Sequence, residues 1–168
     1  MFKEAMSCVA TPVSIVTGMS DDGQPFGATV SAFTSLSIDP AMVLIALDRR
    51  SRTLDMIRES GRFGLNVLGA DQDDLAMAFA AKGGIDKFYG TSWSIDAGLP
   101  RISQASAWVA STVDDLVDGG DHVIVLGRVD AAESTGDKAP LVYHRRSFGT
   151  HLPYRDPSLL VGAPRRPA

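Results

Sequence analysis

Segments with the pattern of β-strands outnumber segments with the pattern of helices along this chain. The strand-like segments are rich in β-branched residues and are separated by turn-forming residues. They are Pro12 to Met19, Pro25 to Ser31, Ala41 to Leu47, Arg62 to Leu68, Ala107 to Val117 and His122 to Val129. A doubly wound fold needs helices that alternate regularly with strands, and that alternation is missing here. The pattern predicts a mainly β fold, a barrel with short flanking α-helices.

Two segments have helix signals. Ser51 is a good N-cap for a helix over Arg52 to Glu59, which Gly61 is expected to end. Asp71 is predicted to cap a second helix, which ends at Gly83-Gly84. Both helices are short, so we expect them to flank the barrel rather than to form a layer of their own.

The continuous apolar run from Ala41 to Leu47 predicts a strand that is covered on both faces. It is the longest such run and falls far short of the ~20 residues that a membrane span needs, so no membrane partner is expected. The 168 residues fit one domain, which we place at residues 1–150. Residues 151–168 are rich in proline and arginine and are predicted to form an extended arm.

Charge and cysteine content narrow the partners and the compartment. The formal net charge of -4, without a long basic block, argues against nucleic-acid binding. The only cysteine, Cys8, cannot form an intrachain disulfide, which favours the reducing cytoplasm. The three histidines do not have the paired spacing of a zinc site, so no metal is expected. The common nucleotide-binding loops and the hydrolase elbow are also missing from the sequence.

The segment from Gly27 to Thr53 carries the strongest functional signal. It places several hydroxyl side chains along two strand ends and then runs through Ala41 to Leu47 into Asp48-Arg49-Arg50-Ser51-Arg52-Thr53. A helix start with free amides, two hydroxyls and three arginines suits a phosphate. The alternative is an ordinary capped helix with solvated arginines.

The same segment resembles the flavin reductase-like family, which has the FMN-binding split-barrel fold. The family strand G-x-T-x-S-S-F-x-S-x-S-x-x-P-P is similar to Gly27 to Pro40, with Ala32 and Ala41 replacing its second serine and second proline. Further matching motifs follow in the family's order over roughly residues 2 to 150. They are the S-x-T segment in Asp48 to Thr53, G-R-F-x-x-N-V-L at Gly61 to Leu68, the F-x-x-K and D-K-F element from Phe79 to Phe88, G-D-H at Gly120 to His122, and the closing strand Leu141 to Gly149.

The resemblance implies a set of site residues. The flavin ring is expected against Ala28, Thr29, Val30 and Ser31, with Ser35 and Leu36 nearby. The ribityl chain and phosphate are expected at Asp48, Arg49, Ser51, Arg52 and Thr53, and the site is closed by Ala81 and Lys82. The resemblance places His122 by the nicotinamide, where it positions the ring, with Tyr143 and Arg146 as similar candidates on the closing strand.

The implied activity is that of an NAD(P)H-dependent flavin reductase, which transfers hydride from NADH or NADPH to FMN or FAD. The family supplies reduced flavin to a separate monooxygenase component and pairs as homodimers with the flavin near the interface. Two alternatives stay open, a flavin oxidase with fixed FMN and a non-catalytic flavin- or haem-binding protein, because one fold hosts several functions.

Overall fold

The computed structural model describes residues 1–136 and 138–153. Its helices and strands include every strand segment predicted above and several that were not. In chain order they are α1 (Phe2–Ser7), β1 (Thr11–Pro12), β2 (Ser14–Met19), β3 (Pro25–Val30), β4 (Phe33–Ile38), β5 (Ala41–Asp48), α2 (Arg52–Ser60), β6 (Arg62–Val67), α3 (Asp73–Ala80), a 3-10 helix (Ile85–Phe88), β7 (Trp93–Asp96), β8 (Leu99–Ile102), β9 (Ala107–Gly119), β10 (His122–Ser134), β11 (Leu141–His144) and β12 (Ser147–Thr150).

Seven antiparallel strands form the main sheet in the order β3-β2-β6-β9-β10-β5-β4. The two edge strands follow each other in the chain with only Ser31 and Ala32 between them, so the sheet curls until its edges approach each other there. The Ala46 N–H donates to the Ala32 carbonyl at 2.8 Å, which extends the pairing of β4 with β5 into this link. β3 and β4 are not paired with each other, so the barrel stays open along one side. The predicted mainly β, split-barrel architecture is confirmed.

The two larger hydrophobic cores lie one on each side of β2. Val16 packs inside the barrel with Ile45, Phe63 and Val125, and α2 closes that core with Leu54 and Ile57. Ile15, the neighbour of Val16, packs under α3 in a second core that contains Phe79 and Leu141. β2 is therefore covered on both faces.

The sequence analysis predicted that the strand Ala41 to Leu47 is covered on both faces, and this prediction is wrong for the single chain. In β5 buried residues alternate with half-exposed ones: Val43, Ile45 and Leu47 face the barrel core, while Leu44 and Ala46 face outward. An apolar run thus identified the strand correctly but did not determine how many of its faces this chain covers.

Two other boundaries differ from the sequence predictions. Gln72, not Asp71, precedes α3: its side chain accepts from the Gly69 N–H at 2.9 Å and donates to the Ser103 carbonyl at 3.0 Å. The helix also ends at Ala80, before Gly83-Gly84. A side chain with both a donor and an acceptor can join two loops at once, which the Asp71 carboxylate cannot do.

The closing segment Leu141 to Gly149 is a hairpin, not one strand. β11 and β12 pair antiparallel around a turn at Arg145 and Arg146, both of which have positive φ angles of 48° and 65°. Such turns are usually marked by glycine or asparagine, so two arginines conceal the turn in the sequence. The predicted position of Arg146 on a strand is therefore wrong, because Arg146 lies in the turn between β11 and β12.

Asn66 of the G-R-F-x-x-N-V-L motif connects three strands inside the protein. It is fully buried; its amide Nδ2 donates to the Ile15 carbonyl at 3.1 Å, and its Oδ1 accepts from the Ile102 N–H at 2.7 Å. The side chain therefore links β6 to β2 and β8, which gives this motif residue a structural role.

We expect Asn66→Ala to lower the free energy of unfolding by about 2–6 kcal/mol, since two buried main-chain groups would each lose a partner worth about 1–3 kcal/mol. Urea unfolding followed by fluorescence measures the change. Gln24→Ala removes an exposed amide and should change the same quantity by less than about 0.5 kcal/mol. Similar losses for the two variants would contradict the role of Asn66.

Most of the predicted arm, residues 154–168, lies outside the described residues. Within the described ranges, no helix is long and apolar enough to cross a membrane.

Candidate functional site

The free edge of β3 offers main-chain groups to a ligand. The Gly27 carbonyl points away from β2, because it accepts from the Lys87 ammonium at 3.4 Å. Residues two apart in a strand point their main-chain groups the same way, so the N–H and C=O of Thr29 also face this edge. Pro25 lies in the same register and lacks an N–H, as is common on edge strands.

The side chains of the predicted ring-binding segment face elsewhere. The Thr29 hydroxyl donates to the Ala76 carbonyl of α3 at 2.6 Å, and Val30 is buried in the barrel core. Ala28 is half-buried and Ser31 is exposed. Any ring contact from this segment must come mainly through the backbone, which agrees with the lack of charged side chains there.

A β-bulge shapes the opposite edge of the barrel opening. The pairing of β4 with β5 shifts register between Ser35 and Ser37, which leaves Leu36 as the extra residue. Ser35 and Leu36 are both exposed, and Leu36 keeps 45 % of its surface accessible. Bulges frequently redirect side chains beside active sites, and this one presents an apolar side chain at the edge strand β4.

Ser51 precedes α2 in the predicted N-cap position, but its side chain makes no capping hydrogen bond. Its carbonyl accepts from the Leu54 and Asp55 N–H groups, so the hydroxyl is not used by the helix. Thr53 follows in the first turn and is buried. This helix start therefore keeps a hydroxyl for a ligand, as the phosphate hypothesis requires.

The three arginines around this helix start have different partners. Arg49 is tied to the turn between β9 and β10, because its Nε donates to the Gly120 carbonyl at 2.6 Å and its guanidinium pairs with Asp118 at 2.7 Å. Arg50 forms two side-chain hydrogen bonds with Asp48 and holds the pKa of that carboxyl well below its usual range. Arg52 lines a cavity, and its guanidinium is the one directed to a possible ligand.

That cavity, with a volume of about 390 Å³, lies between β3, α2 and the loop after α3. Gly27 forms part of one wall, Arg52 and Thr53 form the second, and Gly83 belongs to the third. The structure thus brings the start of the predicted phosphate segment of α2 to the free edge of β3. Ala81 and Lys82 are exposed and lead directly into this loop.

Lys87 of the D-K-F motif was not among the predicted site residues, whereas Lys82 was. Its ammonium donates to the Phe79 carbonyl at 3.0 Å as well as to Gly27, and burial lowers its pKa. It thereby joins the end of α3 to the free edge of β3. The sequence shows the D-K-F motif, but it does not show that Lys87 contacts β3, which lies far away in the chain.

His122 stands at the end of a central strand, directly opposite Asp48 in the pairing of β10 with β5. The carboxylate of Asp121 lies 2.8 Å from Nδ1 of His122, and this hydrogen bond lowers the pKa of Asp121. The imidazole is 44 % exposed. The structure therefore brings the predicted nicotinamide histidine next to the first residue of the predicted phosphate segment.

Tyr143 and Arg146 belong to a different part of the molecule. Tyr143 pairs with Thr11 in the small sheet and packs on Phe148, with ring centroids 5.2 Å apart. Arg146 lines a surface depression next to α1. Their contacts with a nicotinamide stay a prediction of the resemblance.

The arrangement fits a flavin nucleotide. The free edge of β3 can hydrogen-bond the polar edge of a ring, and the Ser51 hydroxyl and the Arg52 guanidinium suit a phosphate. Gly27 of β3 and Arg52 of α2 border the same cavity. Among the described residues, no cluster of three or more histidine, cysteine or carboxylate side chains could hold a metal ion.

Comparison with known proteins identifies the family. Residues 6–151 match the family described as the flavin reductase like domain. The chain is 39% identical over 155 residues to the reductase component of a 4-nitrophenol 4-monooxygenase/4-nitrocatechol 2-monooxygenase of Rhodococcus opacus, covering 92% of this chain and 82% of the relative. It is 37% identical to a protein of Rhizobium meliloti named "Probable flavin reductase", and spans 80% of this chain but 43% of that relative.

A solved structure shares the fold. The NADH:FAD oxidoreductase of Streptomyces globisporus, in complex with NAD and FAD fragments, superposes with a TM-score of 0.86 at 28% identity, over 92% of this chain and 93% of that one. The resemblance deduced from the ordered motifs is confirmed, and the chain belongs to the flavin reductase-like domain family.

Proposed function

We propose that this protein is an NADH-dependent flavin reductase that supplies reduced flavin to a separate monooxygenase component. The observation that carries the proposal is the cavity where the free edge of β3 meets the start of α2. The names of its relatives, a monooxygenase reductase component and an NADH:FAD oxidoreductase, support the same activity.

The chain contributes binding and orientation to this reaction. A bound flavin supplies the hydride acceptor, and the reduced nicotinamide supplies the hydride. The backbone of Ala28 to Ser31 holds the polar edge of the ring, and Ser35 and Leu36 of the bulge border it from β4. Because the ring meets backbone rather than charged side chains, its position depends on the shape of the two strand edges.

The phosphate is held at the start of α2. Ser51, Arg52 and Thr53 supply two hydroxyls and a guanidinium, and Ala81 and Lys82 close the site from the loop after α3. Arg49 has a different task, because its side chain holds the turn that carries His122. Asp48 also helps to hold His122 in place, because Asp48 is the residue of β5 that pairs with His122 of β10.

His122 positions the nicotinamide. Since Asp121 engages Nδ1, the other ring nitrogen, Nε2, is the one that faces the nicotinamide. No acid or base is needed for hydride transfer, so the histidine acts by holding the ring in place.

We expect His122→Ala to raise the KM for NADH, to lower turnover, or both, by as much as about a hundredfold, while flavin affinity stays nearly unchanged. A nicotinamide that loses its support samples more orientations, and few of them allow transfer. Steady-state kinetics, flavin binding and the melting temperature are measured on the same variant.

His144→Ala is the matched control, because His144 lies on β11 in the small sheet and is exposed. It should leave kinetics unchanged. Loss of flavin binding together with a lower melting temperature in His122→Ala would indicate a structural histidine instead.

We further propose that the protein is a homodimer. Side chains of paired residues in β5 and β10 lie on the same face, and the outward face carries Leu44 opposite Leu126 and Ala46 opposite Ile124. Val117 of β9 extends this apolar face next to Ile124. A second copy would cover it, and the next outward pair, Asp48 with His122, would then lie at the rim of the interface.

The activity is tested by mixing the purified protein with NADH or NADPH and with riboflavin, FMN or FAD, and following the nicotinamide absorbance. Oxidation that depends on added flavin, and exceeds the rate with free flavin alone, is expected. Flavin binding without oxidation would favour a non-catalytic binder, and flavin that copurifies and reacts with oxygen while bound would favour an oxidase.

Residues 1–150 form the flavin reductase domain in this proposal. The single cysteine, exposed Cys8, agrees with action in the cytoplasm.

A further inference from the structure

The turn that carries His122 extends past the neighbouring strand β6. β6 pairs with β9 only as far as Thr112, whereas β9 continues to Gly119. The turn itself contains Gly119 and Gly120, and Gly120 has a positive φ angle of 74°. Because glycine has more conformational freedom than any other residue, the sequence of this turn does not fix its conformation. The position of His122 therefore depends on contacts from outside the hairpin of β9 and β10.

Arg49 supplies three such contacts. Its main-chain N–H donates to the Asp121 carbonyl at 3.0 Å, its Nε donates to the Gly120 carbonyl at 2.6 Å, and its guanidinium pairs with Asp118 at 2.7 Å. An ion pair as exposed as the one with Asp118 is weak by itself, so we assign most of the support to the two bonds with main-chain carbonyls. The planar guanidinium offers its donors in a fixed arrangement, which defines the orientation of the turn.

The same short segment of chain leads into the start of α2. The Ser51 N–H donates to the Asp48 carbonyl at 2.8 Å, and the Arg50 N–H donates to the Asp48 carboxylate at 2.8 Å. These bonds make one tight turn of the chain between β5 and α2. Arg50 is the only residue between Arg49, which holds the turn of His122, and Ser51, which belongs to the proposed phosphate site. A restraint on one end of this segment is therefore transmitted to the other.

We propose that Arg49 is a positioning residue that couples the phosphate of a bound flavin to the binding of the nicotinamide nucleotide. The inference rests on the proposed function, which places the phosphate at Ser51 and Thr53 and the nicotinamide at His122. A phosphate held at Ser51 restricts the motion of the segment and, through Arg49, that of the turn. The nicotinamide nucleotide then meets an ordered turn and loses less conformational entropy when it binds.

The test measures the affinity for NAD⁺, which cannot reduce the flavin, by calorimetry on protein saturated with riboflavin or with FMN. Both flavins present the same ring, so the difference between them isolates the contribution of the phosphate. The wild type should bind NAD⁺ at least about fivefold more tightly with FMN than with riboflavin. In Arg49→Gln the two affinities should agree within about twofold, while the affinity for FMN without nucleotide changes by less than about twofold.

Arg58→Gln is the matched control. Its guanidinium is removed from α2, has the same exposure of 40 % as that of Arg49, and pairs with the Asp55 carboxylate. This variant should keep the full difference between FMN and riboflavin. Arg49→Lys keeps the charge but lacks the planar set of donors, so it should keep only part of the difference. If Arg49→Gln fails to fold, Asp118→Asn removes only the exposed ion pair and should also reduce the difference.

Hydrogen exchange provides a second readout, which needs no nucleotide. FMN should slow exchange of the Asp121 and His122 amides more than riboflavin does in the wild type and in Arg58→Gln. In Arg49→Gln the two flavins should have equal effects on these amides. A residue with a merely structural role would change the melting temperature without altering this comparison.

Equal effects of FMN and riboflavin in the wild type, or a difference that persists in Arg49→Gln, would overturn the inference. So would a loss of FMN affinity without nucleotide in Arg49→Gln while riboflavin affinity is unchanged, because Arg49 would then bind the phosphate itself. If the coupling is found but NADH does not reduce the flavin, the proposed function fails and the coupling stands. If the flavin is reduced but the coupling is not found, only the coupling fails.

Discussion

If the protein forms the proposed dimer, Leu126→Asp is expected to convert it into monomers and to lower turnover at least about a hundredfold. Leu126 lies opposite Leu44 in the middle of the apolar face of β5 and β10. A carboxylate buried there without a partner is strongly unfavourable, so the two copies should separate. His122 lies four residues along β10 from Leu126 on the same face, so separation would also expose the proposed nicotinamide site to water and release its support. Light scattering after size exclusion gives the oligomeric state, and steady-state kinetics give the turnover.

Ile95→Asp provides the matched control for this variant. Ile95 lies in the two-stranded sheet of β7 and β8 and is 66 % exposed, so the same chemical change falls outside the proposed interface. It should keep both the dimer and the activity. A wild-type protein that is a fully active monomer would refute the proposed dimer. A Leu126→Asp variant that stays dimeric but is inactive would show that its loss of activity does not result from loss of the dimer.

The double variant Ser51→Ala, Thr53→Val should weaken FMN binding by about 3–6 kcal/mol, which is roughly a hundredfold to ten-thousandfold, because each hydrogen bond to a charged group contributes about 1.5–3 kcal/mol. Thr53 is buried, and valine keeps its shape while removing the hydroxyl. Calorimetric titration measures the loss.

Riboflavin is the control ligand for this pair of substitutions, since it lacks the phosphate. Its affinity should change little, and the melting temperature should stay close to that of the wild type because Ser51 does not use its side chain to cap α2. Equal losses for riboflavin and FMN would place the phosphate elsewhere.

The strands and the first long helix could be predicted because their signals are local. β2 and β5 contain β-branched residues at the expected spacing, and α2 ends at Gly61, which has the left-handed conformation that glycine favours. The positions of the Ser51 cap and of His122 at a strand start also followed from neighbouring residues.

The features that escaped prediction depend on contacts between distant segments. Gln72 stands before α3 and its side chain joins Gly69 to Ser103 without capping the helix. Lys87 was left out of the predicted site because its partner, Gly27, lies far away in the chain. The three arginines were treated as equivalent because sequence spacing cannot show that Arg49 and Arg50 already have carboxylate partners.

A strand edge with unpaired donors and acceptors attracts other β-strands as readily as it attracts a ligand. Along β3 the approach of a foreign strand is partly blocked, because Pro25 offers no N–H and Lys87 occupies the Gly27 carbonyl. Thr29 has no such protection on its main chain. A flavin bound there would cover the exposed backbone. We therefore expect the flavin-free protein to aggregate more readily during storage, through pairing of β3 with a β-strand of another molecule.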